Sequence, residues 1–430
     1  MTTMRLPSFV SSRRALALFS SAVAVKVVIM TLTPMSLELS LILSGSNRPY
    51  LNYAIYTHES RWGMTPYGKL IQLLTAAWQA MPLQHPALSS AWSVNFFQPS
   101  PALYLLVFLL KLPFLLLDIV AGVLVYRLLL AEGLSRNRAS FGFFLWFLNP
   151  YVLLVNEMWA AVDLISVVLV LLTLLFLRTR KTILGAAAFA LAIAAKLFPI
   201  LFAPLFPCVN RGRKLNLLLG GATILGLVGY LIWVSYARYD VVLQLRQHDP
   251  FTQNFDDFSV GATIGVPADL AILALVLTYG FLAEKWPKGR RRLYEPALIV
   301  MLVYFALSNW FPQLLIWIIP FLTLDAVAGR RSLAYMLTLL SSAFFVEAVA
   351  FAAYFTSYGN AFFFIPAQTM PLTGALMAYL SFAENDLVLS FAVPAIRTIF
   401  SVTCLIYSLS LAEKRTGILT SIRRLTSPEA

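Results

Sequence analysis

Lys196 is a single cation inside a long apolar run. The run extends from Ala186 to Phe206, and Pro199 follows the lysine by three residues. Because proline interrupts a helix and a charge inside a membrane is costly unless paired or hydrated, this spacing predicts a helix break with a polar environment. A lysine ammonium binds phosphate as a point charge. The run therefore predicts a phosphate contact at Lys196, with a lysine neutralised by an acidic side chain as the structural alternative.

Other ionisable side chains also border or interrupt apolar segments. Asp163 opens such a segment, where the helix dipole favours an acid whatever its role. Lys111 and Asp118 stand two turns apart on one helix face, which predicts contacts inside a bundle, either with each other or with neighbouring helices. Arg246 and His248 lie in a stretch of charged and aromatic residues, which is either a solvated loop or a second phosphate contact.

These side chains must be positioned by membrane-spanning helices. The chain has 430 residues, of which 60% are hydrophobic and 12% are charged, and its mean hydropathy is +0.79. Soluble domains contain about 45–50% apolar and about 25% charged residues, so the composition excludes a soluble protein. The net charge of +13 comes from short basic runs between apolar segments, and we interpret it as a determinant of topology rather than a nucleic-acid surface.

We expect one all-α membrane domain over residues 1–430. One span requires about 20 apolar residues. The first candidate, 15–32, follows two arginines and is interpreted as a signal anchor. Further spans are predicted at 103–130, 140–156, 161–177, 215–235, 261–282, 295–308, 311–327, 333–356 and 388–411. Segment 183–206 is predicted to form two short helices that meet near Lys196 and Pro199.

The basic runs predict the orientation of the chain. The positive-inside rule places all of them, and both termini, in the cytosol. The outer face then holds Asn156, Glu157, Lys196 and Ser308, together with three loops. These loops are 34–100, with short amphipathic helices, 237–260 and 357–386. Function is therefore expected on the outer face.

Widespread enzyme motifs are missing from the sequence. It has no dinucleotide fingerprint, Walker loop, His-Glu-x-x-His pair or Gly-x-Ser-x-Gly elbow. The two cysteines have no zinc-ligand spacing and cannot form a disulfide framework. No cofactor and no metal site are predicted, although a divalent metal is compatible with the sequence. Membrane enzymes and transporters both remain open at this point.

A series of short motifs resembles the polytopic GT-C glycosyltransferases. The resemblance is greatest to the mannosyltransferases that add the first mannose to glycosylphosphatidylinositol (GPI) precursors and to their prokaryotic relatives. The motifs are Gly63-Met-Thr-Pro66-Tyr67, Asp118-Ile-Val-Ala-Gly-Val-Leu-Val-Tyr-Arg-Leu-Leu, Leu145-Trp-Phe-Leu-Asn-Pro150, the stretch 156–166, Ala194-Ala-Lys196-Leu-Phe-Pro199 and Asn309-Trp-Phe-Pro312-Gln313-Leu-Leu-Ile-Trp317-Ile-Ile-Pro320. This resemblance implies about ten to thirteen transmembrane helices and a polyprenyl-phosphate sugar donor.

The resemblance also implies roles for individual residues. Lys196 would contact the donor phosphate and Asp163 would line the site. Further candidate substrate contacts are Arg246, His248, Asn309 and Gln313. The family has an Asp upstream of its Gly-x-x-Pro-Tyr motif, whereas the first Asp of this chain is Asp118. The candidate bases that remain in the outer loop are Glu59, Glu38 and His58.

The leading interpretation is a membrane glycosyltransferase that moves a hexose, mannose by the resemblance, to a lipid or glycan acceptor on the non-cytosolic face. Its partners would be membrane lipid, the donor and the acceptor, without nucleic acid, and an accessory membrane subunit is compatible with it. The membrane would be the plasma membrane in a prokaryote and the endoplasmic reticulum in a eukaryote. The alternatives are a transporter or flippase for a lipid-linked sugar and an inactive relative that acts as a subunit.

Overall fold

The described part of the chain is almost entirely helical. The computed structural model describes residues 13–32, 101–158, 163–209, 212–236, 259–260, 264–265, 268–287, 292–308, 312–358 and 392–417. The helices are α1 (Arg13–Leu32), α2 (Pro101–Ala131), α3 (Arg136–Phe147), α4 (Pro150–Val152), α5 (Asp163–Arg178), α6 (Thr182–Ala195), α7 (Leu205–Val209), α8 (Arg213–Tyr236), α9 (Ala268–Lys285), α10 (Tyr294–Leu307), α11 (Ile319–Ala326), α12 (Arg330–Tyr358) and α13 (Val393–Thr416). A π-helical turn (Leu153–Met158) follows α4, and 3₁₀ segments precede α7 (Phe198–Phe202) and α11 (Pro312–Trp317). The strands β1 (Ser259–Val260) and β2 (Ile264–Gly265) pair antiparallel.

Most predicted spans coincide with one helix. Those predicted at 15–32, 103–130, 161–177, 215–235, 295–308 and 333–356 correspond to α1, α2, α5, α8, α10 and α12. The prediction of two short helices in 183–206 is also confirmed, because α6 ends at Ala195 and a 3₁₀ segment starts at Phe198.

Four predicted spans differ in detail from the helices of the structure. The segment 140–156 is bent by 41° between α3 and the next helix, because Asn149 and Pro150 begin a new helix there. Segment 311–327 is a 3₁₀ segment followed by the short helix α11, which has Pro320 in its first turn. The helix expected at 261–282 begins only at Ala268, after the two strands. The helix expected at 388–411 extends further, to Thr416, and residues 388–391 lie outside the described residues. Apolar content alone carries no signal for these shifts.

The helices have the length and apolar surface of a membrane protein. Among the described residues, three segments are long and apolar enough to cross a membrane, namely Lys111–Ala131, Arg213–Ile232 and Pro394–Thr416, and the bent pair would make a fourth. Several shorter helices are also apolar. Large apolar side chains of α8, including Leu217, Ile224 and Ile232, are more than 60% exposed. Such a surface is favourable only in lipid, so the protein is an all-α membrane protein.

Helices α5, α6 and α8 form the centre of the site-bearing region. Helices α5 and α6 form an antiparallel hairpin, because Ser166 near the start of α5 donates to the carbonyl oxygen of Ala192 near the end of α6 at 2.9 Å. Helix α8 packs closely on α6 at Gly226. A Cβ atom at this glycine would lie 2.6 Å from the carbonyl oxygen of Ala190, so only glycine permits this approach of the two backbones.

A network of ion pairs joins helix ends on one side of the bundle. Arg178 Nε lies 3.0 Å from Glu132 Oε1, and the backbone N–H of Arg292 donates to the same carboxylate at 3.2 Å. The Arg292 and Arg415 side chains both bind Glu295, at 3.0 Å and 2.6 Å. We call this the basic-end network. It gathers the ends of α2, α5 and α13 and the start of α10, all of which adjoin basic runs predicted to be cytosolic.

Candidate functional site

The helix break at Lys196 is the starting point of the site. Helix α6 ends at Ala195, and Lys196 has extended backbone angles (φ −155°, ψ 143°) while its N–H still donates to the carbonyl oxygen of Ala192. The chain resumes in the 3₁₀ segment at Phe198, which has Pro199 in its first turn. The proline lacks an N–H and fixes φ, so the α-helix does not continue past the lysine.

The side chain of Lys196 contacts an acidic and aromatic group. Its Nζ lies 3.2 Å from both carboxylate oxygens of Asp163. The indole N–H of Trp317 donates to Asp163 Oδ1 at 2.7 Å. The same indole stacks on Phe198, with ring centroids 4.2 Å apart and planes inclined by 9°. We call Asp163, Lys196, Phe198 and Trp317 the Lys196 cluster.

The Lys196 cluster lies far from the basic-end network. Asp163 and Arg178 are the first and last residues of α5, which has 16 residues. At about 1.5 Å per residue, the two ends are about 22 Å apart. Lys196 is at the same end as Asp163, because α6 runs back along α5. The cluster is therefore at the end of the hairpin away from the predicted cytosolic side.

A second charged cluster lies inside the bundle. Lys26 Nζ lies 2.9 Å from Asp118 Oδ2 and 2.9 Å from Glu157 Oε1. Trp146 donates its indole N–H to Asp118 Oδ1 at 2.8 Å, and the Asn156 amide donates to the same oxygen at 3.4 Å. We call these five residues the Lys26 cluster. Its members come from α1, α2, α3 and the π-helical turn, so it ties four elements together.

The π-helical turn aims its polar side chains into the bundle. Asn156 and Glu157 are fully buried there. A π turn adds a residue to one helical turn and is frequent at functional sites. Although Glu157 Oε1 is close to Lys26, neither of its carboxylate oxygens has a well-aligned hydrogen bond among the described residues. Lys111 also interacts electrostatically with Glu157.

The two lysines differ in accessibility. The side chain of Lys26 is 2% exposed, whereas that of Lys196 is 26% exposed. Lys26 lies at 2.9 Å from two acids and over the ring of Phe147, so its charge is already satisfied inside the protein. Lys196 is the lysine that a ligand can reach. We therefore assign the candidate site to the Lys196 cluster and a structural role to the Lys26 cluster.

The structure brings together two of the residues predicted for the site. Asp163 and Lys196 are in contact, although their roles toward a substrate remain predictions. The backbone of Gln313 falls in the 3₁₀ segment Pro312–Trp317. The remaining candidates lie outside the described residues, and they are Glu38, His58, Glu59, Arg246, His248 and Asn309. The predicted loop 34–100 also lies outside them, as do nearly all of 237–260 and 357–386.

Sequence analysis missed Lys26 and the hydrogen bond of Trp317. It allowed Lys111 or a neighbouring helix as the contact of Asp118, and the structure shows a bond from Asp118 to Lys26 on α1. A signal was available, because Lys26 is a charge in the middle of an apolar segment and such charges generally pair. The partners of Trp317 and Lys26 are 154 and 92 positions away, and no local pattern reveals such pairings.

Comparison with known proteins gives three related sequences. A 103-residue segment is 37% identical to the "GPI alpha-1,4-mannosyltransferase I, catalytic subunit" of Danio rerio, covering 24% of this chain and 26% of that protein. The chain is 25% identical over 144 residues to "GPI mannosyltransferase 1" of Candida albicans, covering 29% and 36%, and 30% identical over 92 residues to the same-named protein of Saccharomyces cerevisiae, covering 21% and 22%. No family model matches the chain.

These matches are partial but consistent with one another. The aligned segments span between 22% and 36% of the relatives' own lengths, and all three relatives carry the same kind of name. Over these segments the chain is thus similar to GPI mannosyltransferases, in agreement with the resemblance of its motifs.

Proposed function

We propose that this protein is a membrane mannosyltransferase that moves mannose from a polyprenyl-phosphate donor to a lipid or glycan acceptor on the non-cytosolic face. The observation that carries the proposal is the reachable lysine at a helix break, 3.2 Å from a buried acid, in a chain related to GPI mannosyltransferases. Cations are rare within apolar helices, and a polyprenyl phosphate brings an anion to the same depth as Lys196. Membrane lipid, donor and acceptor are the proposed partners.

The proposed reaction is a direct displacement at the anomeric carbon of the sugar. The acceptor oxygen forms a bond to that carbon, and the bond from carbon to the phosphate oxygen breaks. The acceptor hydroxyl gives its proton to a base, for which Glu59, Glu38 and His58 are the candidates. The departing polyprenyl phosphate keeps the bonding electron pair, and its negative charge is held by Lys196.

The arrangement of charges supports the proposed sidedness. The basic-end network joins helix ends next to Arg136, Arg178 and Lys414, which the positive-inside rule places in the cytosol. The Lys196 cluster is about 22 Å away along α5, within the thickness of a bilayer of about 30 Å and nearer its other surface. The proposed donor site is therefore on the outer side, in the plasma membrane of a prokaryote or the endoplasmic reticulum of a eukaryote, with about ten to thirteen spans and both termini cytosolic.

The experiment is a transfer assay in membranes. Membranes with and without the protein receive radiolabelled polyprenyl-phosphate mannose, and labelled lipid and glycan products are separated from the donor. Product that depends on the protein would support the proposal. Membranes in which the protein is present and inserted but yields no labelled product above background would contradict it.

A second candidate function uses the same helix break. Broken helices with a charge near the break also form the binding sites of secondary transporters, so a transporter of a lipid-linked sugar is the alternative. The transfer assay separates the two functions, because a transporter moves labelled donor across the bilayer without forming product. Movement of intact donor in sealed vesicles would favour the transporter.

A further inference from the structure

Asp163 is bound more tightly by Trp317 than by Lys196. The indole N–H of Trp317 donates to Asp163 Oδ1 at 2.7 Å, whereas Lys196 Nζ lies 3.2 Å from both oxygens. Hydrogen bonds between an ammonium and a carboxylate are typically about 2.7–2.9 Å long. The bond from the neutral donor is thus short and the bond from the charged donor is long, the reverse of the usual order.

The indole of Trp317 is fixed in place independently of the lysine. It is 3% exposed, stacks on Phe198 at 4.2 Å and also stacks on Tyr304, with centroids 6.4 Å apart. Aromatic pairs at these distances contribute to packing beyond their buried area. Because the indole cannot follow a moving side chain, it keeps Asp163 where it is when Lys196 changes position.

Lys196 is more accessible to a ligand than Asp163. Asp163 is fully buried at the start of α5, while the Lys196 side chain is 26% exposed and has a flexible four-carbon stem. When the ammonium turns away, the carboxylate still accepts the bond from Trp317. Separating the Lys196 ammonium from Asp163 therefore costs less free energy than it would if the lysine were the sole hydrogen-bond donor to this buried carboxylate.

From these three observations we infer that Asp163 is an internal competitor for the ammonium of Lys196. Asp163 pairs with Lys196 while no phosphate is bound, and a lipid phosphate replaces Asp163 as the partner of the ammonium. The hydrogen bond from Trp317 to Asp163 weakens the ion pair between Asp163 and Lys196. Asp163 and Trp317 are then positioning residues that set the affinity for a phosphate-bearing lipid. This inference rests on the proposed role of Lys196 as a phosphate contact.

The inference predicts opposite effects for two substitutions. Asp163→Asn removes the competing charge, so binding of polyprenyl phosphate should become about fivefold tighter, the scale of a partly exposed ion pair. Trp317→Phe keeps a ring for stacking and removes the N–H. The Asp163 carboxylate then attracts the Lys196 ammonium more strongly, so binding of polyprenyl phosphate should weaken by a similar factor. The measurement is titration calorimetry of the purified full chain in detergent with polyprenyl phosphate. Melting temperatures within a few degrees of the wild type show that each variant is folded.

The double variant supplies the decisive control. Because Trp317 acts only through Asp163 in this scheme, Asp163→Asn with Trp317→Phe should bind as tightly as Asp163→Asn alone. Weaker binding by both single variants, or additive effects in the double variant, would overturn the inference. An Asp163→Asn protein that does not fold would also contradict it, since the acid would then be required to assemble the bundle.

The outcome for the wild type separates this inference from the proposed function. A wild-type protein that binds no polyprenyl phosphate would remove the proposed donor, and with it the competition at Lys196. A wild-type protein that binds polyprenyl phosphate, combined with variants of unchanged affinity, would contradict the inference and leave the donor proposal intact.

Discussion

Lys26 and Lys196 show how a membrane protein uses the same side chain in two ways. Lys26 lies 2.9 Å from both Asp118 and Glu157, so its charge is paired inside the protein. Lys196 has a longer contact to one acid and keeps part of its surface accessible. The accessible charge is the one available for chemistry. The enclosed charge joins α1 to the rest of the bundle.

At this scale, replacement of Lys26 is expected to destabilise the protein. Lys26→Met keeps the stem and leaves two buried acids without their ammonium, which typically costs about 3–5 kcal/mol of unfolding free energy. The measurement is the thermal unfolding of the purified protein in detergent. The control is Lys285→Met, which removes a surface ion pair with Glu284 and should cost less than about 1 kcal/mol. Equal melting temperatures for the two variants would contradict the structural role of the Lys26 cluster.

At the scale of elements, the broken helix was predictable and its surroundings were not. A lysine followed by a proline in an apolar run predicts the break at 196–199, because both residues disfavour a continuous buried helix. The bend between α3 and α4 has a similar signal in Asn149 and Pro150, which cap and start a helix. In contrast, the contact of Trp317 with Asp163 depends on how two distant segments pack, and sequence spacing does not encode it.

The contact of α8 with α6 gives a prediction for this scale. Gly226→Ala would place a methyl group 2.6 Å from the carbonyl oxygen of Ala190, so the helices must move apart at a cost of about 1–3 kcal/mol. Gly221→Ala on the same helix meets nothing within 4 Å and should be neutral or stabilising by up to about 1 kcal/mol. Thermal unfolding of both variants in detergent tests the close approach. A Gly226→Ala protein as stable as Gly221→Ala would show that the helices do not meet at Gly226.

At the scale of the whole molecule, charge separates the two sides of the bundle. The ends of α2, α5 and α13 converge on Glu132 and Glu295 through arginines, while the Lys196 cluster occupies the opposite end of the α5–α6 hairpin. The positive-inside rule predicts such a division from sequence, because basic runs are short and alternate with apolar segments, and the side of the membrane on which each end lies stays a prediction. The exact spans were harder to predict, since several helices are short and bent.

The predicted sidedness can be measured by cysteine labelling. In a background with Cys208 and Cys404 replaced by alanine, single cysteines at Asn137 and Ser89 should react with a membrane-impermeant maleimide from opposite sides of sealed vesicles. Asn137 adjoins the basic-end network, and Ser89 lies in the loop 34–100 that the sequence predicts on the outer face. Labelling of both positions from one side would contradict the topology and the proposed side of the donor site.

The central claim, that Lys196 holds the donor phosphate, is tested most directly by transfer kinetics at limiting donor. Lys196→Met keeps the stem of the side chain and removes the charge, and loss of such a partner at a desolvated site costs about 2–5 kcal/mol of binding, or at least about thirtyfold in affinity. We expect the KM for polyprenyl-phosphate mannose to rise by at least that factor. The matched control, Lys214→Met, changes an exposed lysine at the start of α8 and should leave the KM unchanged. A Lys196→Met protein that transfers mannose at the wild-type rate under limiting donor would contradict the account.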